Sequence, residues 1–131
     1  MIAADDVARV KRAYAGILAG DIETFLADFD ADSLLIEVAS LPYGGVHRGR
    51  EACLAALAGI GAVWRNVHYE IADYAIGTGK VIACGTFTAS ARASGVAVSQ
   101  PLLEIWTLAG GRVVSLEAIY GDTATLLAAL R

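Results

Sequence analysis

From Asn66 to Tyr120 the sequence keeps a two-residue apolar rhythm through four segments, broken only by short turns of small residues. The segments are Asn66–Ile76, Val81–Arg92, Val96–Leu108 and Arg112–Tyr120. Between them lie Gly77-Thr78-Gly79, Ala93-Ser94-Gly95 and Ala109-Gly110-Gly111. Alternation places every second side chain on one face of a strand. A tight Gly-containing turn returns the chain beside itself. Four such strands in succession predict an antiparallel meander. In the last hairpin one carboxylate, Glu104, shares its face with Leu102 and Trp106. That face is therefore either wet, wasting two large apolar side chains, or a pocket with Glu104 as its functional group.

The first half has the other period. Val7, Val10, Tyr14, Ile17 and Leu18 fall at helical spacing, with Arg9, Lys11 and Arg12 outside the stripe. Gly20 is the expected C-cap, and Asp21 the N-cap of a shorter helix carrying Ile22, Phe25, Leu26 and Phe29. Leu34–Ala39 reads as a strand and LPYGGVHRG as a loop. A third helix runs from Arg50 to Ile60, and Asp122 or Thr123 caps a last short helix ending at Leu130. Helices followed by long antiparallel strands predict an α+β domain spanning residues 1–131. A strongly twisted sheet curling over a helical layer makes a cone, its cavity lined by alternate residues of the long strands.

Composition bounds the partners. Of 131 residues, 56% are apolar, yet the longest uncharged run, Ala52–Trp64, is too short to span a bilayer. The net charge is −4 and the arginines are scattered, which argues against nucleic acid. Asp5 and Asp6 stand where a signal peptide is basic. Cys53 and Cys84 are isolated, so a reduced, cytoplasmic chain without a metal site is expected.

The stretches AGDIETFLADFDAD, GVHRGREA and LLEIWTLAGGRVVSLEAIYGD, in this order and spacing, resemble the SnoaL-like group of the nuclear-transport-factor-2-like superfamily, which includes polyketide cyclases and ketosteroid isomerases. The resemblance implies a cone-shaped curved antiparallel sheet, with the three helices of the N-terminal half packed on its concave face. It also implies a homodimer through the outer face of the sheet, and a pocket for a small apolar or aromatic ligand. Carried over residue by residue, the isomerase tyrosine falls on Ala13, one residue from Tyr14. The general-base position falls on Val38, one residue from Glu37, and the proton-donating acid falls on Glu104.

Glu104 is thus the principal catalytic candidate, since an unpaired carboxyl in an apolar cavity has a raised pKa suited to proton transfer. The alternative is a salt bridge to Arg92 or Arg112. Glu37 shares acid and base roles with Glu104 if it points into the cone, but the count to Val38 turns it outward. Tyr14 completes the catalytic set, and Tyr43, His47, Phe87, Trp106 and Tyr120 are the ligand-lining candidates. The loop bearing Tyr43 and His47 is expected at the cavity mouth, and His68 and Glu70 on an outward polar face. The implied chemistry is cofactor-free isomerisation, aldol cyclisation or dehydration of an apolar carbonyl compound. A non-catalytic ligand-binding or dimerisation module is the alternative. Epoxide hydrolysis ranks third, because no Asp-Arg-Asp set falls on the cavity strands.

Overall fold

The computed structural model describes residues 2–131 and has an open, curved six-stranded sheet with helices packed against it. Helix α1 spans Ile2–Leu18 and ends on Gly20, whose φ of 77° is open to a residue without a Cβ. Helix α2 is a single turn, Ile22–Phe25. Asp21 caps it by accepting from the Thr24 amide. It is shorter than its apolar spacing predicts because the Val113 amide takes the Asp28 carbonyl, and Asp30 and Ser33 form their own local turn. Leu26 and Phe29 nevertheless remain in the core.

Strand β1 (Leu34–Glu37) is followed by β2 (Gly45–Arg48), then helix α3 (Arg50–Val63). The expected loop therefore contains a strand: Gly45–Arg48 pairs antiparallel with β1, Leu35 opposite His47. The meander follows as β3 (Trp64–Gly77), β4 (Lys80–Ala91), β5 (Ala97–Ala109) and β6 (Arg112–Tyr120). Helix α4 (Thr123–Ala129) comes last, capped by Asp122. The sheet order is β2-β1-β6-β5-β4-β3. All its pairings are antiparallel except β1 with β6, which is parallel.

Curvature comes from β3. Its register on β4 slips twice, between Arg65 and His68 and between Ile71 and Asp73, and such bulges bend a strand and increase its twist. Opposite the second slip, Gly85 lets the Glu70 carbonyl approach a position that a side chain would occupy. The β5–β6 turn uses Gly110 and Gly111, both with positive φ, as a tight hairpin requires.

The interior has two aromatic centres. Around Trp106 gather Tyr14, Phe25 and Phe29, and around Phe87 gather Trp64, Tyr69 and Tyr120. Leu57 and Tyr69 pack against both. The candidate site lies at that junction.

Candidate functional site

On β5, Leu102, Glu104 and Trp106 all point inward, and Glu104 is only 5% exposed. Neither expected arginine reaches it. Arg92 donates to the Gly61 carbonyl, and Arg112 pairs with Asp30. The partner of Glu104 is instead Tyr14, whose hydroxyl donates to Oε1 at 2.7 Å. The Tyr14 oxygen in turn accepts from the Trp106 indole Nε1 at 2.9 Å. This two-step relay stabilises negative charge on Glu104, because an indole N–H feeding a phenol strengthens what the phenol donates.

Glu37 also points inward, correcting the expectation that it faces outward. The strand phase is set by buried Leu35, and Glu37 follows two residues later at 5% exposure. Its Oε1 accepts from the Tyr120 hydroxyl at 3.0 Å. The inward polar side chains are thus Tyr14 and Glu37, each one residue from the position counted from the isomerase pattern, Ala13 and Val38.

Tyr14, Glu37 and Glu104 line one small chamber with Phe25, Leu57 and Tyr69, enclosing about 10 Å³. That is space for roughly one water-sized group. An outer chamber of about 180 Å³ adjoins it and shares Ile17, Leu57, Ile60 and Tyr69. Leu18, Ile22, Gly61 and Val67 complete its wall. The entrance is therefore framed by α1, α2, α3 and β3. It is not the Tyr43–Arg48 segment, which is held at the sheet edge by β1. His47 sits there with Nε2 against the Tyr43 carbonyl, outside both chambers.

The other candidates stand behind the chamber wall. Trp106 supports Tyr14, Tyr120 supports Glu37, and Phe87 is packed among Trp64, Tyr69 and Tyr120. Tyr43 is buried and accepts from the Trp64 indole at 3.0 Å. His68 and Glu70 are exposed, on the face opposite Tyr69.

Burial raises the pKa of both carboxyls. Glu104 is pushed up to about 7, with the Tyr14 hydrogen bond pulling it back. Glu37 is pushed up to about 8 by burial and by the nearby charge of Glu104, against the Tyr120 hydrogen bond. The charge of Glu104 thus bears directly on the protonation of Glu37. Burial and the neighbouring carboxylates hold Tyr14, Tyr69 and Tyr120 above the ordinary phenol value, so all three stay protonated donors. Burial likewise pushes Tyr43 up to about 12. Among the described residues no group of three or more His, Cys, Asp or Glu is placed to hold a metal ion.

A family model for the SnoaL-like domain matches residues 10–116. The chain belongs to the SnoaL-like family. No curated protein matches it by sequence. Solved structures share the fold. An NTF2-like protein from Burkholderia pseudomallei K96243 superposes with a TM-score of 0.89 at 19% identity, covering 96% of this chain and 97% of that one. TerC, co-crystallised with polyporic acid, gives 0.87 at 19% identity over 96% and 98% of the two chains. A protein with a ketosteroid isomerase-like fold from Catenulispora acidiphila DSM 44928, in complex with trimethylamine, gives 0.78 at 18% over 92% and 91%.

Of the residues lining both chambers or the outer one, Ile17, Leu57 and Ile60 fell on apolar helix positions in the sequence without being assigned to a pocket, and Val67 and Tyr69 were missed. For Tyr69 the signal was present: the alternation that turns His68 and Glu70 outward turns Val67, Tyr69 and Ile71 inward.

Proposed function

We propose that this SnoaL-like protein catalyses cofactor-free acid/base isomerisation of a compact apolar carbonyl compound, with Glu104 and Glu37 as the proton-transfer pair. One observation carries the reading: two buried carboxyls with raised pKa line a single apolar chamber, and no Lys, Arg or His lines either chamber. Near neutral pH such a pair holds about one proton between two sites. The Trp106–Tyr14 relay favours the anion on Glu104, which leaves the proton on Glu37.

Glu104 then removes a proton from the carbon beside the carbonyl. The C–H electron pair becomes the enol double bond, and the carbonyl oxygen takes the Glu37 proton. Where the compound carries a β,γ double bond this enol is a dienol; returning the proton from Glu104 to its γ carbon, and the enol proton to Glu37, brings the double bond into conjugation and restores the pair. The chambers are small beside the ~300–1,000 Å³ of typical ligand pockets. That size supports a compact ligand, with its oxygen inside and its apolar body in the outer chamber. Epoxide hydrolysis lacks the arginine it needs between the carboxylates.

The homodimer belongs to the same proposal. Leu103, Val114 and Ile119 are exposed on the outer sheet face, where a second copy would cover them.

The test is deuterium exchange at carbons next to the carbonyl in a panel of compact ketones, followed by NMR in heavy water. The wild type should accelerate exchange, and Glu104→Gln should lose it by about 10²–10⁴-fold with the fold intact. Binding of the ketones without accelerated exchange would favour the non-catalytic ligand-binding module instead.

A further inference from the structure

Four tyrosines surround the carboxyl pair, and three have engaged hydroxyls. Tyr14 donates to Glu104, Tyr120 donates to Glu37, and Tyr43 accepts from Trp64. Tyr69 differs. Its hydroxyl has no hydrogen-bond partner among the described residues, whereas no fully buried side-chain nitrogen or oxygen there lacks one. The Tyr69 oxygen is therefore not sealed in protein, and the residue lines both chambers. Its ring lines the inner and the outer chamber, held by a tilted contact with Phe87 at 5.6 Å between centroids. The charges of Glu104 and Glu37 both act on its hydroxyl.

We propose that Tyr69 is the donor that receives the ligand's oxygen at the junction of the two chambers, and that it thereby sets specificity. The inference rests on the carboxyl-pair reading above and adds the group that orients the ligand between Glu104 and Glu37. A fixed phenol in a dry site donates more strongly as charge develops on the ligand oxygen. A ligand with no acceptor at that point leaves the hydroxyl unpaired and is rejected. Two carboxyls without a lining cation disfavour an anionic head. The ligand class is thus an uncharged, compact apolar body ending in one oxygen acceptor.

The probe is acetophenone carrying a ¹³C carbonyl, with binding and carbonyl stretch read by difference infrared spectroscopy. Bound to the wild type, its stretch should fall below the value in apolar solvent. Tyr69→Phe keeps the ring and removes only an oxygen that no described residue uses. It should return the stretch toward the solvent value and weaken binding about tenfold. Tyr74→Phe, on the same strand but outside the chambers, should change neither. Benzoate should bind at least about tenfold more weakly than acetophenone above pH 8. If Tyr69→Phe binds with unchanged stretch and affinity, the inference is overturned while the carboxyl-pair reading stands. If the wild type fails to bind acetophenone at millimolar concentration, both are overturned.

Discussion

Glu37 and Glu104 line one chamber from strands β1 and β5, with β6 running between them. The register sets Glu104 opposite Ala118, and β1 pairs with β6 through Ile36 and Glu117. Ala118, a small residue, thus lies between the two acids on the intervening strand. Each acid has its own phenol donor, Tyr120 for Glu37 and Tyr14 for Glu104. Together they supply two proton sites of similar affinity and different support.

The pair makes stability depend on pH with a definite sign. Both folded pKa values, about 8 and about 7, lie above the ordinary 4.5. Between pH 4.5 and 8 the folded state holds more protons than the unfolded one, so stability falls as pH rises. The loss across that window should be on the order of a few kcal/mol. Urea unfolding at a series of pH values should show it, and Glu37→Gln with Glu104→Gln should flatten the slope. Rising stability from pH 5 to 8 would contradict the assignment.

Tyr14→Phe removes the donor to Glu104 and leaves the buried Trp106 N–H without its acceptor. It should cost about 1–3 kcal/mol in chemical denaturation. It should also move the Glu104 titration upward, since the lost hydrogen bond had favoured the anion. A neutral substitution would mean that the relay is dispensable.

Gly85→Ala should destabilise although it adds one methyl group. The new Cβ would collide with the Glu70 backbone carbonyl at the bulge that bends β3. Overpacking against backbone costs about 1–3 kcal/mol, readable as a lowered thermal midpoint. Because β3 carries Tyr69, ligand binding should weaken with it.

The outer sheet face offers a separate test. Sedimentation should give a dimer, and Leu103→Arg should yield a folded monomer by placing a charge on the exposed apolar face. A wild-type monomer at micromolar concentration would remove the homodimer from the account.

The meander was legible because period-two alternation and Gly turns are local signals, and Glu104 was legible because Leu102 and Trp106 fix its face. Tyr14 and Glu37 were harder. Helix α1 buries Val10, Ala13 and Tyr14 together, so its inward stripe admits neighbouring positions, and the carried-over isomerase pattern fell on the smaller one. Strand β1 ends at Glu37, so the position counted for the base had already left the strand. The entrance was not legible. It depends on β2 zipping onto β1 and on α1 meeting β3, the latter a contact between segments distant in sequence.

The most direct measurement of the central claim is a ¹³C NMR titration of the glutamate side-chain carboxyls, with Glu37→Gln and Glu104→Gln used for assignment. Two coupled resonances should titrate near pH 7 and 8 in the wild type, and removing Glu104 should lower the remaining pKa of Glu37, which the neighbouring charge raises. Independent titration of both carboxyls near 4.5 would contradict a shared, proton-holding pair.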